Sequence, residues 1–249
     1  MFSTLLYTHN EIPDHLAEVC FSRLSAAVAS SYCEGMPWPE CVVVSSRPWG
    51  PAHPGWHNEI VTGRRGLHDC YTKIIAGLEQ VTQRWVFLVE HDVLYPDGYF
   101  DFVPSSPDCY WYNTHVYRQT PLGFFSDPTW LTSNCVAERE LLLCQFRGRL
   151  AMLDRGERII WDEPGRNPHD IAPMAVWRSA LPTVDIRWGG NLTGMRTAAQ
   201  YLQELAPYGS HADLWASYGL PPVPNSAQPA AAPPPPKPPT LMAPDARFR

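Results

Sequence analysis

Short apolar runs that end in polar residues alternate with stretches of helical periodicity through the first hundred positions. Thr4–Tyr7 reads as an apolar strand that stops at Thr8-His9-Asn10. Pro13-Asp14 then opens a helix, with Leu16, Val19, Cys20, Leu24 and Ala27 recurring at helical spacing. Cys41–Val44 is a second strand, ended by Ser45-Ser46-Arg47-Pro48 and followed by a Gly/Pro/His-rich loop to Asn58. Gly66–Val81 is a helix with Leu67, Cys70, Ile74, Ile75 and Leu78 on one face. Trp85–Val89 is a third strand that runs into Glu90-His91-Asp92 and then the turn Pro96-Asp97-Gly98. This β-α-β-α-β order predicts an α/β fold, a mixed but mainly parallel central sheet flanked by helices.

The second half is less regular. Cys109–Tyr112 and Val116–Arg118 read as further strands, Ser133–Leu153 as a helix and Ile171–Arg178 as a shorter helix. Residues 1–218 form the expected globular domain. Residues 219–249 are Pro/Ala-rich, with the tract Pro233-Pro234-Pro235-Pro236-Lys237-Pro238-Pro239, and cannot build a core, so a disordered or polyproline II tail is expected there.

Composition narrows the chemistry. A formal net charge of -6 argues against a general nucleic-acid binder. Lys73 and Lys237 are the only lysines, so almost every cation is an arginine, a bias that suits bidentate phosphate recognition as well as a GC-rich gene. The 7 cysteines are scattered, odd in number and lack a C-x-x-C, which favours a reducing compartment over a disulfide framework. No basic-then-apolar leader opens the chain and no run approaches the roughly 20 apolar residues of a membrane span, so a cytoplasmic protein of a bacterial or virus-infected cell is expected.

Glu90 and Asp92 carry the strongest chemical signal. Two carboxylates at the end of an internal strand present hard oxygen donors where open α/β sheets bind ligands. Such donors suit Mg2+ or Mn2+ held jointly with substrate phosphates. The chain has neither a G-x-G-x-x-G after its first strand nor a G-x-x-x-x-G-K-[ST], which disfavours dinucleotide and P-loop sites.

On these residues the chain resembles the GT-A glycosyltransferases, especially small family-2-like members, whose D-x-D motif follows an internal strand. Here the motif stands as Glu90-His91-Asp92, with Glu in place of the first Asp. The resemblance implies a GT-A, Rossmann-like fold and a nucleotide-sugar donor, UDP-linked by expectation. It implies donor contacts from Thr8, Asn10, Ser45, Arg47, Arg65 and Asp69; separately, the glycines of Asp185–Arg196 suit a loop closing over a ligand, with Arg187 or Arg196 on phosphate. Metal ligands would be Asp92 and Glu90, with His169 as third. Asp170, placed just before a helix, is the first choice of catalytic base and Glu163 the second. Trp111, Trp130 and Trp161 are candidates for stacking on a sugar or base.

The acceptor is less defined. Compact proteins of this look resemble virus-encoded transferases that glycosylate hydroxymethylated pyrimidines in DNA, where base flipping would be required; surface polysaccharide and protein side chains are the alternatives. A Mg2+-dependent nucleotidyltransferase is the competing enzyme class. A non-enzymatic module that docks partners through its Pro-rich tail is the competing non-catalytic class.

Overall fold

The computed structural model describes residues 1–32, 38–48, 56–63, 66–189 and 198–220. The Pro-rich tract, Arg65 and Arg196 lie outside the described residues. The first half contains β1 (Phe2–Thr8), α1 (Asp14–Ser30), β2 (Glu40–Ser45), β3 (Trp56–Ile60), α2 (Leu67–Gln80), β4 (Trp85–Val89) and β5 (Val93–Leu94). Next come β6 (Tyr110–Asn113), β7 (Val116–Thr120), β8 (Gly123–Ser126), β9 (Cys135–Glu138) and α3 (Arg139–Asp154). The chain continues with β10 (Met174–Trp177), β11 (Thr183–Ile186), β12 (Glu204–Leu205), β13 (Gly209–Ser210) and α4 (His211–Ser217).

The molecule is a mixed α/β structure whose central sheet runs β10-β6-β9-β4-β1-β2-β3. β1, β2, β3 and β4 are mutually parallel, and β9 is inserted antiparallel between β4 and β6. Val42–Val44 and Val86–Val89 are buried on both faces, which is why they read as unbroken apolar runs rather than alternating ones. Alternate residues feed two layers. Leu5, Val42, Val44, Val86 and Leu88 meet Tyr71, Ile74 and Leu78 of α2 and Leu142 and Phe146 of α3. Leu6, Val43, Phe87 and Val89 meet Phe21, Leu24 and Val28 of α1 on the other side. Gly77 lets α2 press onto the sheet, since a Cβ there would stand 2.2 Å from Leu5 Cδ1.

A smaller sheet, β5-β11-β7-β8, branches off the end of β4. Its apolar face (Leu94, Phe124, Val184, Ile186) packs against Leu16 and Cys20 of α1 and Trp215 of α4. One helix thus braces both sheets, and the gap between the two sheets opens at the carboxyl ends of β1 and β4.

Two expected helices differ. Cys135–Glu138 is a strand, and the helix begins only at Arg139. Cys135, Val136 and Ala137 form a continuous apolar run, which periodicity alone cannot assign to a buried strand or a buried helix. Within the expected helix Ile171–Arg178, Met174–Trp177 is instead an edge strand, paired in register with Tyr110–Asn113 of β6. Backbone pairing to a strand some sixty residues away decided that segment. β3 lies at the end of the stretch read as loop, as the opposite edge strand. The six described cysteines are free thiols. Among the described residues, no helix is long and apolar enough to cross a membrane.

Candidate functional site

A cleft of about 580 Å³ lies between the two sheets, lined by the end of β1 (Tyr7, Thr8, His9), the start of α2, the turn after β4, and Arg118, Asp162, Glu163, Asp185 and Arg187. Glu90, His91 and Asp92 form the hinge where the chain leaves the central sheet for the smaller one. Register sets this up: Leu6 pairs with Val89, so the next residues, Tyr7 and Glu90, emerge side by side. Tyr7 Oη donates to Glu90 Oε1 at 2.6 Å, and the Glu90 amide donates to Tyr95 Oη at 3.1 Å. On the other side of the hinge, Asp185 pairs with Val93, and the Ile186 amide donates to the Asp92 carbonyl at 2.9 Å.

This arrangement collects negative charge. Burial pushes the Glu90 carboxyl up to about 8, followed by repulsion from Asp92 and, more weakly, Asp185 and Asp162; the Tyr7 hydrogen bond only partly opposes the rise. Asp185 is likewise raised by burial, against the pull of Arg187 and Arg118. Its Oδ2 accepts from Arg187 Nη2 and lies 3.5 Å from Arg118 Nη1, while Arg118 Nε reaches Asp127 Oδ2 at 2.5 Å. Arg118 and Asp185 are register partners across β7 and β11, so the pairing of two strands, not proximity in sequence, creates the network. On the opposite wall, Lys73 Nζ donates to Ser46 Oγ at 2.7 Å and to Asp69 Oδ2, with Lys73 and Asp69 both buried.

The carboxylates of Asp69, Glu90, Asp92, Asp162, Glu163 and Asp185 outnumber the lining cations Lys73, Arg118 and Arg187. A divalent ion fits that excess: the Glu90 carboxyl, pushed up to about 8 first by burial and then by repulsion from Asp92, is relieved when a cation joins the carboxylates. Among the described residues no three His, Cys, Asp or Glu side chains form a ready cage.

The expected site residues separate into three groups. Glu90, Asp92, Glu163, Thr8, Asp69 and Arg187 all line the cleft. Asn10, Ser45 and Arg47 are brought together but brace the floor rather than line it. Asn10, with φ 62, accepts the Ser46 and Arg47 amides on Oδ1 at 2.8 and 3.1 Å, and Ser45 Oγ donates to the Arg47 carbonyl at 2.7 Å. Asp170 and His169 form the third group, which lies off the cleft lining. Asp170 opens no helix: its side chain is buried against Arg149, whose Nη2 lies 2.9 Å from Oδ2, with Gln145 Nε2 and the Asn167 amide also donating to it. Asp170 thus sits engaged in the protein's own hydrogen bonds rather than in the cleft lining. His169 is exposed and also lies off the cleft lining.

Glu163 is the better-placed carboxylate. Burial and Asp162 raise its carboxyl, while Arg166, with Nη1 3.0 Å from Oε2, opposes the shift. Arg149 carries this wall, donating to the Asp162 and Glu163 carbonyls as well as to Asp170. The tryptophans expected to stack on ligand do not line the cleft: the Arg166 guanidinium sits 3.5 Å over Trp161 and 5.5 Å from the Trp130 ring centre, and Trp111 packs on Phe102. Lys73 and Arg118 also line the cleft, and local sequence pattern does not mark them. The only sequence signal was the rarity of lysine, since burial of a cation against a carboxylate is invisible until α2 and β7 are placed.

No known protein family matches the chain, and no curated protein matches it. Among solved structures, it is similar to a nucleotidyl transferase from Methanothermobacter thermautotroptrophicus, 11% identical, over 64% of this chain and 84% of that one, with a TM-score of 0.36. It is also similar to the bifunctional IspDF from Campylobacter jejuni, 13% identical, over 69% of this chain, with a TM-score of 0.37. The chain spans about half, 52%, of that second protein.

Proposed function

We propose that the chain is a metal-dependent transferase acting on a nucleotide-linked donor, and that the reaction is glycosyl transfer in the manner of the GT-A enzymes it resembles. The observation that carries this reading is the Glu90–Asp92 hinge, set at the carboxyl end of β4 and facing Asp185 from the second sheet across a cleft of nucleotide-sugar size.

Asp92 and Glu90 would hold Mg2+ or Mn2+, which when bound supplies Lewis-acid stabilisation of the diphosphate leaving group. Arg187, Arg118 and Lys73 set positive charge along the cleft for the phosphates. Glu163 acts as general base, taking the acceptor hydroxyl's proton as its oxygen attacks the anomeric carbon. The glycosidic C–O bond to the diphosphate breaks and the nucleoside diphosphate leaves with the bonding pair. A carboxyl raised above its usual range is better matched to that transfer near neutral pH. A 5-hydroxymethylpyrimidine in DNA is carried as one acceptor, alongside polysaccharide and protein hydroxyls.

A second reading, nucleotidyl transfer, is favoured by the three cations in the cleft, which would also suit a triphosphate. There the acceptor oxygen attacks the α-phosphorus and pyrophosphate leaves. One experiment separates the two. The full chain is incubated with Mn2+ and a panel of nucleotide sugars or nucleoside triphosphates, with and without hydroxymethylcytosine DNA. Metal-dependent release of nucleoside diphosphate from a sugar donor, abolished in Asp92→Asn, supports glycosyl transfer. Pyrophosphate release from a triphosphate in the presence of a sugar phosphate supports the second reading. Neither release by folded protein removes both.

A further inference from the structure

At the opposite end of the central sheet, far from the carboxyl edge that forms the cleft, lies a second concavity of about 200 Å³. It is built where β1, β2 and β4 begin. Phe2 and Phe100 form its floor, their rings stacked with centroids 5.5 Å apart, and Tyr32 and Trp38 form its wall. Trp38 is 49% exposed and Tyr32 38% exposed; their rings meet at 5.1 Å and 37°, a tilted pair rather than a closed stack. Both rings therefore present apolar faces to a partner at the mouth of the concavity. Its charged side chains are acidic, although the Met1 α-ammonium also lies in the lining. Asp101 and Glu40 line the concavity, and no lining residue is Lys or Arg. Glu40 is fixed by the Thr82 amide at 2.7 Å, which holds its negative charge in place beside the aromatic wall.

A tilted aromatic wall with adjacent acid is the chemistry that recognises a polyproline II strand carrying a basic residue. This chain has such a segment in Pro233-Pro234-Pro235-Pro236-Lys237-Pro238-Pro239, which contains the second of its two lysines. Reach permits the contact. The described structure ends at Leu220, and a Cβ on Gly219 would stand 2.9 Å from His15 Cδ2, so the chain departs beside the first turn of α1. The concavity sits at the other end of that helix, whose 17 residues span about 25 Å. From Leu220 to Pro233 a polyproline II path covers about 40 Å, enough to run the length of α1.

We propose that the Pro233–Pro239 tract docks in cis on the Tyr32–Trp38 groove, its prolines against the two rings and Lys237 toward Asp101. Tethering raises the local concentration of the tract to the millimolar range, so a contact that is weak between separate molecules is populated within one chain. The groove lies on the opposite edge of the sheet from Glu90 and Asp92, so docking leaves the cleft open.

The test uses the full chain. A fluorescent peptide of residues 229–241 is titrated by anisotropy into wild type and into a tail variant with all six tract prolines replaced by alanine (P233A/P234A/P235A/P236A/P238A/P239A). The tail variant should bind the peptide at least tenfold more tightly, because its own tract no longer competes. In that background Trp38→Ala, or Tyr32→Ala should the first fold poorly by circular dichroism, should abolish binding. Asp101→Asn should weaken it about threefold at low salt and not at high salt. Equal binding by wild type and tail variant, or no binding by either, overturns the proposal. Capture of an unrelated proline-rich peptide but not this one also overturns it.

Discussion

Replacing Arg149 with Met tests whether one buried cation holds the cleft wall. Its guanidinium donates to the Asp162 and Glu163 carbonyls and pairs with Asp170, and all of it is buried in α3. Met keeps most of the apolar volume, so the loss is electrostatic. It strands a buried carboxylate, which retains Gln145 and the Asn167 amide but no cation, and it leaves two carbonyls short of a donor. Breaking a buried pair by removing one partner costs about 3–5 kcal/mol, because the remaining charge is uncompensated. Urea denaturation followed by far-UV circular dichroism should show that loss, with a melting shift of roughly 6–20 °C for a domain of this size. Adding Asp170→Asn should recover a large part of it, since the stranded charge is then gone. Turnover should fall in both variants, because Asp162 and Glu163 lose their anchor whether or not the charge is removed. A loss below about 1 kcal/mol in Arg149→Met, or a double variant no more stable than the single, would refute the reasoning.

Other consequences follow from the same geometry. Glu90 is pushed up to about 8 in the fold, so between its ordinary value of 4.5 and about 8 the native state keeps a proton that the unfolded chain releases. Stability of the metal-free protein should therefore decline as pH rises through that window, and Glu90→Gln should flatten the decline in melts run from pH 5 to 9. His211 is lowered by burial, its ring set between Gln119 and the Pro121 carbonyl, so the native state resists protonation. Its contribution is present above about 6.5, the ordinary imidazole value, and is lost as pH falls below it; His211→Gln should remove that acid dependence. Glu163→Gln should lower kcat by about 10²–10⁴-fold with KM nearly unchanged, while Asp170→Asn alone should affect stability more than turnover. Gly77→Ala should destabilise by about 1–3 kcal/mol, because its Cβ meets Leu5 and Val44 across a packed layer; an unchanged denaturation midpoint would contradict that packing.

Much of the parallel half of the fold was written in local pattern. β1, β2 and β4 are apolar runs because each is buried on both faces, and α1 and α2 carry the stripes that cover them. The same pattern placed Glu90 and Asp92 at a strand's carboxyl end, and the order of elements put that end at a ligand-binding edge. Glu163 was marked by its carboxylate alone, with no means of ranking it above Asp170. The difference between them belongs to the tertiary structure, because Arg149, on a helix that begins some thirty residues earlier in the chain, pairs with Asp170 while Glu163 lines the cleft. The second sheet was likewise illegible. Arg118, Asp127 and Asp185 meet only through the pairing of β7 with β8 and β11, and strand partners far apart in sequence leave no periodic trace. Local hydrophobic spacing reports which face of an element is buried; which charges share a cavity is set by long-range backbone pairing and by the desolvation that follows it.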